Sequence, residues 1–225
     1  MKFVINAAIA MAVIGTSCAA FAKDGITFSP DMRTAYAAPG STGKGMVHYI
    51  RKPASATIFS NLASKYKKGL YFSGEGSTVY GSATGSQWVG SGFTPAASAT
   101  AMEVDVAVGN FGDGHDQFEL SINADSNGTP GAALATTELT VTNAFGVCCG
   151  LAIAKFPSGV ALTGGTPYWV TVTLTKKQTK ANDDGAWMLA TTDQVDTAPA
   201  AYDPNDTGWV SYQTPLPPAF GVFSK

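Results

Sequence analysis

From Gln117 to Ala124 the chain reads QFELSINA, and Phe118, Leu120, Ile122 and Ala124 alternate with Gln117, Glu119, Ser121 and Asn123. A period of two puts apolar groups on one face of a pleated strand and polar groups on the other, which predicts a half-buried strand. The next stretch, Asp125-Ser-Asn-Gly-Thr-Pro-Gly131, offers side-chain caps, positive φ and a fixed φ in turn, so the backbone must reverse or leave the sheet. A partner strand is predicted over 135–142. The same alternation sets Val104, Val106 and Val108 against Glu103 and Asp105, and Tyr168, Val170, Val172 and Leu174 against Trp169, Thr171, Thr173 and Thr175. Further strands are predicted over 56–62, 69–73, 88–94, 101–108, 151–156, 168–175, 186–191 and 208–212. Gly, Pro, Asn or Asp separates nearly every pair of runs, and no helix-length stretch keeps a 3.6 period, so the fold class is all-β. Short antiparallel strands at this spacing form two sheets packed face to face or a barrel, and frequent turns between alternating strands favour a two-sheet β-sandwich.

Several segments break this pattern. Residues 23–55 hold no period of either kind and predict an irregular lead-in to a single sandwich domain over 56–225. Residues 176–185, KKQTKANDDG, predict a charged hairpin loop, and 193–207 a long connection carrying Pro199, Pro204 and Asn205. The tail enters Phe220, Val222 and Phe223 through prolines and predicts a last edge strand. Within the lead-in, Gly40-Ser-Thr-Gly-Lys-Gly45 superficially suggests a phosphate loop, but Gly45 stands where a hydroxyl ligand is needed and no helix-forming segment follows.

The first 22 residues read as an export leader. Lys2 precedes an apolar run from Phe3 to Ile14 broken by Asn6, and Ala20-Phe-Ala22 has the small-x-small form expected before a cleavage site at Lys23. That run is shorter than the roughly 20 apolar residues a spanning helix needs, so the mature chain is expected to carry no transmembrane helix. Lipidation at Cys18 is the competing reading, and Gly15 opposes it by standing where a branched aliphatic residue is expected. The expected location is therefore secreted or periplasmic.

Charge narrows the partners. Lys and Arg number 14 against 16 Asp and Glu, a formal net charge of −2, and removal of Lys2 with the leader makes the balance more negative. No nucleic acid is expected as a partner; the small group Lys65, Lys67 and Lys68 reads as a solvated loop or edge. Past the leader the cysteines are Cys148 and Cys149, which are adjacent. A bond between them would close a strained, easily reduced ring at a turn between the strands ending near Thr142 and beginning near Leu151. Two unreactive thiols, or one intermolecular link, is the alternative.

Asp125-Ser-Asn-Gly-Thr-Pro-Gly131, Leu134, Gly165-Thr-Pro-Tyr-Trp-Val170 and Trp187, taken together, resemble bacterial exported domains of the choice-of-anchor R kind over about Gln87 to Tyr212. The resemblance implies a jelly-roll-like sandwich and is silent on activity, because its motifs are turn and core features. Members often end in a Pro-Glu-Pro box, an apolar helix and basic residues. The present chain ends at Phe223-Ser-Lys225, so the expectation is a free exported protein without that sorting segment.

Nucleophilic catalysis needs a base beside an activated Ser or Cys, and the two histidines, His48 and His115, fall in the lead-in and in a Gly-Asp-Gly-His-Asp turn with no nucleophile elbow anywhere. Paired carboxylates can hydrolyse glycosides, and Glu103 with Glu119 is the pair the pattern offers on neighbouring strands, on a face expected to be solvated. Ca²⁺ suits oxygen ligands on loops, which makes Asp113, Asp116, Asp125 and Asn127 candidates, with Asp183 and Asp184 nearby; the spacing is not an EF-hand, since Thr136 stands where its last ligand is required. Capping of tight turns explains the same residues. Trp169, Trp187 and Trp209, with Tyr80, Tyr202 and Tyr212, are candidates for stacking on sugars, against core packing as the plainer account; Trp169 is the one the alternation turns outward. The expected function is a non-catalytic binding or structural module whose partner is an extracellular polysaccharide or another envelope protein. The alternative is a glycan-active hydrolase using loop carboxylates.

Overall fold

A computed structural model of the 225-residue chain describes residues 25–29, 31–37, 56–62, 70–82, 85–111, 116–174, 184–191 and 198–224. The strands in chain order are β1 (Ile26–Phe28), β2 (Thr34–Ala37), β3 (Thr57–Ser60), β4 (Phe72–Ser82), β5 (Gly85–Phe93), β6 (Ala99–Val106), β7 (Val108–Asn110) and β8 (Asp116–Asp125). There follow β9 (Pro130–Val141), β10 (Ala152–Leu162), β11 (Tyr168–Leu174), β12 (Gly185–Leu189), β13 (Ala198–Pro204), β14 (Val210–Thr214) and β15 (Phe220–Phe223). Their pairings are antiparallel and make an 11-stranded sheet and a 4-stranded sheet in a sandwich-like arrangement, as the alternation predicts. No helix among the described residues is long and apolar enough to cross a membrane.

The larger sheet runs β1-β2-β4-β5-β11-β8-β9, with β12 and β7 branching from β4, and β13 and β14 from β5; the smaller runs β10-β6-β15-β3. Alternation decides what lies between them. Val104 and Val106 of β6, Ala154 and Phe156 of β10, and Phe220 and Val222 of β15 meet Phe118, Leu120 and Ile122 of β8 and Val170 and Val172 of β11 in one apolar cluster. A second cluster, with Ala35, Tyr71, Phe111, Phe145, Ala186 and Met188, fills the other face of the β2-β4-β12 region. The β8–β9 reversal follows its sequence closely: Asn127 and Gly128 have φ of 55° and 80°, and Ser126 and Thr129 exchange both backbone hydrogen bonds, which is the hairpin turn that Asn-Gly favours.

Six expectations need correction. The lead-in is not irregular where it is described, because β1 and β2 pair with each other and β2 joins β4. Residues 198–204 form β13 despite two prolines. Pro199 stands at the second position of the strand and Pro204 at its last, and the strand pairs with β14 on one side and β5 on the other. The tail strand β15 lies between β6 and β3 rather than at an edge. The run 101–108 divides at Ala107, so that β6 serves the smaller sheet and β7 the larger; Ala107 donates to Ala219 O and accepts from Met188 N at this corner. That division also separates Glu103, in the smaller sheet, from Glu119, in the larger. Asp105, expected on a solvated face, is buried, with Gly221 beside it in register and the Phe223 ring lying over that glycine.

Candidate functional site

The β13–β14 hairpin is made by its turn. Asn205 and Asp206 take φ of 58° and 53°, Asp203 Oδ1 accepts from Thr207 N and Gly208 N at 2.9 and 3.0 Å, and the strands leave in register with Tyr202 opposite Val210 and Ala200 opposite Tyr212. Across the next pair Tyr202 stands opposite Val89, so Tyr202, Val210 and Tyr212 share the face that carries the core residue Val89. Val210 and Tyr212 are nevertheless 45% and 42% exposed. The hairpin therefore presents an inward-facing surface that the core does not cover.

The facing wall comes from the β1–β2 turn. Ser29 Oγ donates to Asp31 Oδ1 at 2.6 Å, Arg33 N donates to the same oxygen at 3.2 Å, and Thr34 N donates back to Ser29 Oγ at 2.9 Å. Buried groups pin this turn to the sheet. Thr78 N donates to Arg33 O, Thr78 Oγ1 donates to Met32 O, and the buried Gln87 amide donates to both Thr78 O and Thr78 Oγ1 at 2.8 Å. An amide donor with two acceptors in a buried position is costly to disrupt, so the backbone that carries Arg33 is fixed before any ligand arrives.

Between the two walls lies an open cleft of about 360 Å³ lined by Asp31, Arg33, Thr34, Ser77, Tyr202 and Tyr212, with Val89, Ala201 and Val210 as its apolar part. This volume is at the small end of the range for ligand sites, roughly 300–1,000 Å³. The Arg33 guanidinium carbon sits 4.0 Å from the centroid of the Tyr202 ring, within cation–π range, and Arg33 Nε is 3.5 Å from Asp31 Oδ2. The Tyr202 and Tyr212 rings stand 6.1 Å apart at 52°. The hydrogen bond from Ser29 and the neighbouring Arg33 hold the Asp31 carboxyl below its usual range. Desolvation pushes the Tyr212 phenol up, against a hydrogen bond with Ser77 that pulls it down, and Tyr80 is raised by desolvation and by Asp184. The cleft thus combines an ionised carboxylate, a guanidinium, two hydroxyl-bearing strand residues and two tyrosine rings.

No protein-family model matches the chain, and no curated protein does.

Of the aromatic residues singled out from sequence, Tyr202 and Tyr212 line this cleft, and the three tryptophans do not. Trp169 does turn to the face opposite Val170, but that face is covered: Trp169 is buried, and its Nε1 donates to Asp125 Oδ1 at 2.8 Å. Its neighbour in register is Gly92, over which Pro199 packs, and Pro130 and Trp209 close over Gly90 beside it. Trp187 is buried with Nε1 donating to Ala219 O at 2.8 Å. Trp209 is half-buried on the Gly90 side, away from the tyrosine face. The cleft's aromatic rings are instead Tyr202 and Tyr212, both from the β13–β14 hairpin, set against Asp31 and Arg33 of the β1–β2 turn.

The calcium candidates do not converge either. Asp113, His48, His115, Asp183, Cys18 and the leader lie outside the described residues, as does the side chain of Asp116. Among the described residues no three of His, Cys, Asp and Glu come together. Asp125 spends Oδ1 on Trp169 and Oδ2 on Gly128 N at 3.0 Å, and Asn127 is exposed in the hairpin turn. The Asp125 carboxylate is thus a structural acceptor. Asp125→Ala strands the indole N–H and is expected to cost about 1–3 kcal/mol. Millimolar calcium or EDTA is expected to leave the wild-type melting temperature unmoved; a calcium-dependent rise would restore the metal reading.

Cys148 and Cys149 are joined by a disulfide in the β9–β10 connection. Cys149 is buried in the second cluster and its sulfur accepts from Leu70 N at 3.1 Å, while the Tyr71 hydroxyl lies 2.8 Å from Val147 O and 3.0 Å from Gly150 O. Burial pushes the Tyr71 phenol up, so it stays a donor to these carbonyls. The linked pair fastens the connection to the start of β4, remote in sequence from every cleft residue except Ser77.

Proposed function

We propose that the protein is an exported, non-catalytic binding module of the choice-of-anchor R kind, jelly-roll-like in topology, that holds a neutral carbohydrate of the cell exterior in the cleft between the β1–β2 and β13–β14 hairpins. Export is supported by the leader pattern of residues 1–22, and the family by the Asp125–Gly131 and Gly165–Val170 motifs. One observation carries the ligand class: Arg33 and Asp31, paired at 3.5 Å, stand beside the half-exposed Tyr212 ring in an open cleft. Guanidinium groups only donate and carboxylates only accept, whereas a sugar hydroxyl does both. A pair of the two therefore reads vicinal hydroxyls without adding net charge, and an aromatic ring takes the apolar face of the sugar.

The hydrolase reading is less well supported. It needs two carboxylates flanking one bond, with one of them kept protonated. Among the described residues Asp31 is the one carboxylate lining the cleft, and its carboxyl is held in the ionised form.

Titration of tyrosine and tryptophan fluorescence with a panel of neutral glycans tests the proposal. Binding is expected, and its strength should be flat from about pH 5 to pH 9. Asp31 is displaced below its ordinary value and so stays ionised across that window, while Tyr80 and Tyr212 are displaced above theirs and stay neutral. A panel without any binder, or hydrolysis of a bound glycan, overturns it.

A further inference from the structure

The surface that lines the cleft does not stop at Thr34 and Ser77. These two stand opposite each other across the β2–β4 pair, and the next pair but one on the same strands is Tyr36 opposite Glu75. Side chains two apart in a strand share a face, so Tyr36 and Glu75 continue the surface of Thr34 and Ser77, while Ala35 between them turns into the second apolar cluster. Tyr36 is 40% exposed, as open as Tyr212. Two residues of strand advance about 6.8 Å, room for one further ring beyond the cleft.

We propose that Tyr36 and Glu75 form a second subsite, and that the ligand is an extended neutral oligosaccharide lying along the β2–β4 face from Tyr212 to Tyr36. The inference rests on the carbohydrate reading given above and adds the ligand's length and charge. Tyr36 supplies a second stacking ring. Glu75 supplies an acceptor for hydroxyls. With Asp31 it brings the polar side chains of the path to two carboxylates against the single guanidinium of Arg33, a balance that repels chains bearing uronate or sulfate. Neutral chains escape that penalty.

The experiment is a titration of the full mature protein with neutral glucan oligomers from monomer to pentamer, repeated with oligogalacturonate of matched length. Affinity for the neutral series is expected to rise about tenfold between the shortest binder and the oligomer that reaches Tyr36, then level off, and oligogalacturonate is expected to bind at least about tenfold more weakly. Tyr36→Ala removes the rise and leaves the affinity for the shortest binder within twofold, whereas Tyr36→Phe keeps the rise. Melting curves of both variants matching wild type exclude misfolding as the cause. Binding of neutral oligomers with no dependence on length, or a Tyr36→Ala variant that retains that dependence, overturns the second subsite and leaves the cleft standing. Absence of binding by every neutral oligomer overturns the carbohydrate reading itself.

Discussion

Replacing Trp187 by Ala is expected to lower the unfolding free energy by about 3–5 kcal/mol, a large fraction of what holds a domain of this size together. The indole is fully buried, its ring stands 6.0 Å from Phe220 at 71°, and its Nε1 donates to Ala219 O. It sits where the two sheets meet: its neighbours Ala186 and Met188 face the second cluster, while Trp187 itself belongs to the first. Truncation opens a cavity between the layers and removes one of the two hydrogen bonds that Ala219 O accepts, the other coming from Ala107 N. Trp187→Phe refills most of the cavity and loses the hydrogen bond alone, so about 1–2 kcal/mol is expected. Urea denaturation monitored by circular dichroism measures both. An Ala variant within about 1 kcal/mol of wild type would mean that Trp187 does not join the sheets as described.

Tyr212→Ala is expected to do the opposite, costing about 1 kcal/mol of stability through the Ser77 hydrogen bond and the Tyr202 ring contact while abolishing most binding. Tyr212 is close to half exposed, so the cost in stability stays well below that of truncating the buried Trp187. Under the proposed carbohydrate reading Tyr212, whose ring lacks the guanidinium that covers Tyr202, is the anchor, and losing an anchor costs about 2 kcal/mol of binding, roughly thirtyfold in affinity. Tyr202 behaves differently because one face is already taken by Arg33. Tyr202→Ala frees the guanidinium from its stacking partner, and the expected loss arises from Arg33 moving rather than from a lost sugar contact. Arg33→Lys separates these effects: it preserves charge and removes the planar fork. Equal affinities for wild type and Tyr212→Ala would place the ligand elsewhere.

Much of the sandwich could be read from alternation, and the failures have physical causes. QFELSINA and the Tyr168–Leu174 run each expose a period of two over enough positions to be unmistakable, and both became strands of the larger sheet. Strands β1 and β2 span three and four residues, too few for a period to emerge, so the lead-in looked irregular. Strand β13 was disguised by Pro199 and Pro204. The sequence of Trp169 correctly indicated its face, but not the cover supplied by Pro130, Pro199 and Trp209, whose proximity depends on the whole chain being folded. The cleft was the least legible part. Its residues come from 31–34, 77, 89 and 201–212, and none of these stretches carries a motif alone. Tyr202 and Tyr212 stand among the aromatic candidates read from sequence, but neither they nor the Asp-x-Arg turn following Ser29 points to the other until β4 and β5 bring them together.

The same topology explains why the site is rigid. Gln87, Thr78 and the Met32–Arg33 carbonyls form a buried hydrogen-bonded chain beneath one wall, and the Asp203 turn fixes the other. A site whose walls are set by buried polar groups loses little conformational entropy on binding, which favours recognition of weakly held polyols.

Amide chemical shifts of the nitrogen-15-labelled protein, followed through titration with the tightest neutral oligosaccharide, test the central claim most directly. The account predicts that the amides of Arg33, Thr34, Ser77, Tyr202 and Tyr212 move together and saturate at one affinity. Shifts gathered instead around Trp209 or Leu134, with the cleft amides still, would contradict it.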